Sequence, residues 1–102
     1  MKMLSESNPE EMREFREFMN SVIKPGRLDT RTKELIALGT SITARCMYCI
    51  DIHVRKALGA GATKEEILEA AMVSILMGGG PALTYVAEVK KAIDEFDNAV
   101  SE

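Results

Sequence analysis

Apolar residues in this chain recur every three to four positions, and the residues between them are those that start and stop helices. Asn8-Pro9-Glu10-Glu11 supplies an N-cap, a proline at the first helical position and acids in the first turn. Met12, Phe15, Met19 and Val22 then share one helical face, and Pro25-Gly26 stops the helix. Asp29 or Thr30 is the expected cap of a second helix with Leu35, Leu38 and Ile42 as its apolar stripe. A third helix is predicted from about Cys46 to Leu58, ending in Gly59-Ala60-Gly61. Thr63-Lys64-Glu65-Glu66 is a capping box that opens a fourth, and Gly78-Gly79-Gly80 closes it. Pro81 starts a last helix with Leu83, Val86, Ala87, Ile93 and Phe96 facing inward. No stretch sustains the period-two alternation of a strand. The expected fold class is all-α, as one domain over residues 1–102.

The fourth helix departs from this amphipathic pattern. Ala70-Ala71-Met72-Val73-Ser74-Ile75-Leu76-Met77 is apolar on every side. A chain of 102 residues buries only about 60–65% of its unfolded surface. It has little core in which to hide such a segment, so burial between subunits of a homo-oligomer is expected. Acids and bases are mixed along the sequence and net to −3, with no basic cluster of the kind that binds nucleic acid. No apolar run approaches the ~20 residues of a membrane span, and the N-terminus shows no apolar signal region. A cytoplasmic location is expected, where a lone Cys-x-x-Cys is catalytic or metal-binding more often than structural.

That pair is Cys46-Met47-Tyr48-Cys49, with His53 four residues on. These are the only cysteines and the only histidine in the chain. Two thiols at this spacing are able to close an internal disulfide. On a helix, Cys46, Cys49 and His53 fall on one face, with His53 one turn beyond Cys49. Glu34 lies twelve positions before Cys46. On one continuous helix they would stand about 18 Å apart. If the chain instead turns near Thr43-Ala44-Arg45, two helices form an antiparallel hairpin that sets Glu34 beside His53. A thiolate is the nucleophile in redox chemistry. Cys46 gains from the positive end of the helix dipole and Cys49 from a base one turn away, with Glu34 orienting His53. Once one cysteine becomes a sulfenic acid, the other displaces water and forms the disulfide.

Glu34 followed by Cys46-x-x-Cys49-x-x-x-His53 resembles the core signature of the alkylhydroperoxidase D-like domains of the carboxymuconolactone decarboxylase family. The resemblance covers residues 28 to 90. It implies an all-helical subunit that assembles into trimers or hexamers, and thiol-dependent reduction of hydroperoxides; the cysteine pair alone would equally suit a disulfide reductase. It also implies Cys49 as the attacking thiol, Cys46 as the resolving thiol, and His53 with Glu34 as the proton relay. Tyr48 stands where the best-known hydroperoxidase members carry a relay histidine, and its hydroxyl is a candidate to pass a hydrogen bond; packing is the plainer expectation for it. No bound cofactor or metal is expected, and a lipoyl-type dithiol or other thiol system is the implied electron donor.

Other readings compete. A zinc or redox-sensing module would use both thiolates, His53 and a carboxylate, yet a closed zinc site usually draws on four Cys or His ligands and this chain offers three. A haem attachment requires histidine directly after the second cysteine, where Ile50 stands. A cofactor-free lactone decarboxylase would not need the cysteine pair. Gly78-Gly79-Gly80-Pro81 lacks the lysine of a phosphate-binding loop and reads as a tight turn. Asp51 and the Glu10-Glu11 and Lys90-Lys91 clusters read as solvated.

Overall fold

The structure, a computed structural model, describes residues 2–101, with side chains through residue 100. All regular elements among them are helices. Backbone packing divides the chain into two units, residues 1–30 and 31–102.

The first unit holds α1 (Lys2–Ser7) and α2 (Pro9–Ile23). The sequence reading had no element at α1. Asn8 occupies the N-cap of α2 as expected, but its side chain makes no capping bond. Its Oδ1 instead accepts from the Ser7 hydroxyl at 2.9 Å. Pro9 and the acids of the first turn stand where the pattern put them. The apolar face of α2 is largely uncovered: Phe15, Met19 and Val22 are exposed and Met12 is half-buried. Thr30 is already helical, and its hydroxyl donates to the Ile23 carbonyl at 2.9 Å rather than capping.

Five more helices follow among the described residues: α3 (Thr30–Thr43), α4 (Met47–Gly59), α5 (Lys64–Gly78), α6 (Gly80–Thr84) and α7 (Val86–Ser101). Their shared core has Leu38 and Ile42 from α3, Ile50, Val54 and Ala57 from α4, and Ile67 and Ala71 from α5. Ala62 between α4 and α5, Ala82 of α6, and Val89, Ala92 and Ile93 of α7 complete it. Each fully buried Leu, Ile or Val contributes about 1.5–3 kcal/mol relative to exposure. Helix α4 packs most extensively on α7, and the Arg55 guanidinium bridges their surfaces, pairing with Asp51 at 3.1 Å and Glu95 at 2.7 Å. Asp51, expected to be merely solvated, is therefore half of an ion pair.

The capping box of α5 forms in full: the Glu66 amide donates to the Thr63 hydroxyl and the Thr63 amide to the Glu66 carboxylate. Arg31 adds a 2.8 Å ion pair that ties Glu66 to α3. Further along, α3 and α5 approach closely at Gly39, whose carbonyl accepts from the buried Ser74 hydroxyl at 2.7 Å. A Cβ at Gly39 would lie 3.2 Å from that hydroxyl.

The last helix is not continuous from Pro81. It breaks at Tyr85 into α6 and α7. The break resets the helical phase, so Leu83 and Ala87, expected inward, are exposed, while Ala82, Val89 and Ala92 are buried in their place. Ile93 is buried as expected, and Val86 and Phe96 are half-buried. Among the described residues, no helix is long and apolar enough to cross a membrane.

Candidate functional site

The site forms where α3 gives way to α4. Helix α3 ends at Thr43, and two backbone bonds close it: the Arg45 amide to the Ile42 carbonyl at 3.0 Å, and the Cys46 amide to the Ser41 carbonyl at 3.1 Å. These are the two bonds of a Schellman motif. Cys46 then serves the next helix. Its carbonyl accepts from the Ile50 amide at 2.9 Å, and its sulfur accepts from the Cys49 amide at 3.3 Å as the N-cap of α4. The first cysteine thus ends one helix and opens the next: the helix predicted from about Cys46 has that residue as its N-cap and becomes regular one position later, at Met47.

Cys46 and Cys49 are joined in a disulfide, with their Cα atoms 5.2 Å apart. Both are half-buried, so solvent and a small reagent reach them. The Cys46 sulfur stands at the positive end of α4 and faces a backbone donor. Both features favour a negative charge there once the bond is opened.

The chain reversal brings Glu34 and His53 together, as their spacing predicted. Glu34 Oε1 and His53 Nδ1 are 2.7 Å apart. The Glu34 side chain is only 4% exposed and that of His53 26%. An ionised carboxylate only accepts, so Nδ1 carries the proton and donates it. In neutral imidazole, Nε2 is then the acceptor, free to take a proton from a neighbouring group. His53 sits one turn beyond Cys49 on α4, at the spacing that makes side chains neighbours.

Tyr48 does not pack as the plainer expectation had it; it is 65% exposed. A feature the sequence did not reveal is the backbone of Arg45, whose φ of 58° lies in the left-handed region. Glycine is the usual signal for that conformation, and the stretch Thr43–Cys46 contains none. Among the described residues, no group of three or more His, Cys, Asp and Glu side chains is arranged to hold a metal ion.

An all-helical chain with a half-buried Cys-x-x-Cys disulfide and a carboxylate–histidine pair alongside defines a class of helical dithiol proteins. The comparisons narrow it. The carboxymuconolactone decarboxylase family matches residues 9–92, and the chain belongs to that family. A protein of the cox locus of Paracoccus denitrificans, itself uncharacterized, is 40% identical over 78 residues, covering 76% of this chain and 70% of its own length. An uncharacterized protein of Cupriavidus necator strain H16 is 34% identical over 94 residues, covering 92% and 80%. Among solved structures, a family member from Legionella pneumophila in its apo form superposes with a TM-score of 0.88 at 38% identity, covering 93% of this chain and 85% of that one. A family member from Thermotoga maritima, for which a role in antioxidative response has been suggested, gives 0.87 at 27% identity, covering 98% and 86%.

Proposed function

We propose that this chain is a thiol-dependent oxidoreductase that reduces a small hydroperoxide or disulfide through Cys46 and Cys49, a peroxiredoxin-type antioxidant activity. The observation that carries the reading is the 2.7 Å Glu34–His53 pair one turn from Cys49. A disulfide that served only to staple α4 would have no use for an oriented base.

The chemistry runs in two steps. With both thiols reduced, Nε2 of His53 takes the Cys49 proton, and the thiolate attacks the nearer peroxide oxygen. The O–O bond breaks, Cys49 becomes a sulfenic acid, and the departing alkoxide takes the proton back from His53 to leave as an alcohol. The Cys46 thiolate, favoured by the Cys49 amide and the α4 N-terminus, then attacks the Cys49 sulfur. The departing hydroxide takes up the proton that Cys46 gave up and leaves as water, and the disulfide of the structure results. Glu34 holds the imidazole in the tautomer this requires and stabilises its charged form. Tyr48 is exposed beside the pair, and its role in this reading is to contact the substrate. An external thiol system, lipoyl-type or other, returns the electrons.

A homo-oligomer, trimer or hexamer, belongs to the same reading. Leu76 and Met77 of α5 are 80% and 75% exposed in the single chain, with Met72 and Val73 beside them. Val73 and Met77 line an apolar groove of about 500 Å³ between α3 and α5, with Leu35, Ile36 and Gly39 among its other walls. A second copy covering this face would remove the exposed patch.

A single-turnover experiment tests the chemistry. Reduced protein mixed with one equivalent of an organic hydroperoxide is expected to lose two thiols and yield one equivalent of alcohol. Cys46→Ser is expected to stop at a trappable sulfenic acid, and Cys49→Ser to leave the peroxide intact. Lactone decarboxylation undiminished in the Cys46→Ser/Cys49→Ser double variant, with no thiol lost to peroxide in wild type, would replace this reading.

A further inference from the structure

Arg45 occupies a glycine's position. The bonds from its own amide to Ile42 and from the Cys46 amide to Ser41 place it at the residue of a Schellman motif that must be left-handed, and its φ of 58° is so. A side chain there crowds the following carbonyl, which is why glycine or asparagine usually takes the place. Such strain persists where the surrounding structure over-determines it, and it concentrates at functional sites. The side chain kept at this expense is a long cation, exposed, and it immediately precedes a redox sulfur. No ion pair or hydrogen bond to another described residue engages its guanidinium. Arg31 and Arg55, by contrast, are both held in ion pairs.

From this placement we infer that Arg45 is a specificity-determining residue, selecting as electron donor a small dithiol that carries a carboxylate. The inference rests on the redox reading above and names the reductant class for the same site. One thiolate of the donor attacks the Cys49 sulfur. The S–S bond breaks, and its electron pair passes to the Cys46 sulfur, which already faces the Cys49 amide. The second donor thiolate attacks the donor's own sulfur in the mixed disulfide and expels the Cys49 thiolate. The donor leaves as its disulfide, the protein holds two thiols, and the two protons of the donor end on the cysteines. Throughout, the donor's carboxylate lies within reach of the guanidinium of the preceding residue. Arginine suits this task because its planar fork pairs with a carboxylate through two hydrogen bonds.

The test compares dihydrolipoate with dihydrolipoamide, which differ by one negative charge at the end of the same chain. The readout is the ratio of their rate constants for reducing the Cys46–Cys49 disulfide. It is measured in wild type, Arg45→Asn, Arg45→Gly and Arg45→Lys, the first two of which suit the left-handed backbone. The wild-type ratio is expected to exceed that of Arg45→Asn and Arg45→Gly by roughly threefold at low salt, the gain of two unit charges about 6 Å apart in water. That excess should shrink as salt is added and be largely restored in Arg45→Lys. Equal ratios in all four proteins, with both dithiols reducing the disulfide, would overturn the role of Arg45 and leave the redox reading standing. A wild-type disulfide that neither dithiol reduces would bring down both.

Discussion

Glu34 Oε1 and His53 Nδ1 meet at 2.7 Å although nineteen positions separate them in the chain. The contact exists because α3 ends and α4 begins within three residues, so that the two helices run back past one another. With Glu34 ionised it orients the imidazole with Nδ1 as donor, and in the proposed mechanism the other nitrogen serves the thiol one turn away. His53→Ala is therefore expected to lower the rate of peroxide reduction by roughly 100-fold, the lower range for loss of a positioned base. Glu34→Gln, which keeps the shape and loses the charge, should lower it less. His53→Ala also leaves the Glu34 carboxylate buried without its donor, at a cost of about 1–3 kcal/mol. Stopped-flow peroxide consumption and urea denaturation check the two effects; unchanged values in both would show that the pair is ornamental to the site.

The reactivity of the reduced pair gives a second test. With a base one turn away, Cys49 is expected to be alkylated by iodoacetamide near neutral pH faster than a free thiol of ordinary pKa ~8.5. His53→Ala should move its alkylation profile to higher pH. Profiles that superpose in the two proteins would remove His53 from the mechanism.

Backbone strain at Arg45 carries a consequence for stability. Arg45→Gly removes the clash of a side chain at a φ of 58° and is expected to raise the unfolding free energy by about 1 kcal/mol. The urea midpoint should rise with no change in slope. A lower midpoint would mean that the arginine side chain stabilises the turn.

Gly79 is the opposite case. Its φ of 68° and ψ of −152° lie in a region that is almost exclusively glycine's. Gly79→Ala is expected to cost about 1–3 kcal/mol even though no atom lies within 4 Å of the added methyl. Gly59→Ala, at the end of α4 and equally open, should show no such loss. Thermal unfolding of the two variants side by side separates backbone strain from crowding.

The capping box makes stability depend on pH. The Thr63 amide hydrogen bond, helped by the Arg31 charge, holds the Glu66 carboxyl below its ordinary value. Its contribution is present above the ordinary carboxylate range and is lost as pH falls through the lowered value. Lys64, raised by its hydrogen bond and ion pair with Asp97, behaves in the mirror sense. Its contribution is present below the ordinary lysine value of 10.5 and is lost as pH rises through the raised one. Wild type should therefore exceed Glu66→Gln in thermal midpoint at pH 6 and approach it near pH 3. A gap that stays constant with pH would assign the difference to packing.

Much of this was legible in the residues. Spacing alone placed Glu34 beside His53, because a reversal near Arg45 leaves each a similar number of residues from the turn. The helix starts at Pro9 and Thr63 were legible because each is a local pattern written in adjacent residues, although only Thr63 forms the capping bond its pattern implies. The phase of the last helix was not. A break at Tyr85 has no glycine or proline to announce it, and it moved burial from Leu83 and Ala87 to Ala82, Val89 and Ala92. The left-handed Arg45 was illegible for a related reason: nothing in Thr43–Cys46 is a residue that prefers that conformation.

The most direct test of the account is steady-state consumption of an organic hydroperoxide with dihydrolipoamide as reductant, wild type beside Cys49→Ser. The account predicts turnover in wild type, with the Cys46–Cys49 disulfide forming and disappearing in each cycle, and none in Cys49→Ser. Equal turnover in both proteins, or none in wild type while its disulfide is freely reduced by the dithiol, would contradict it.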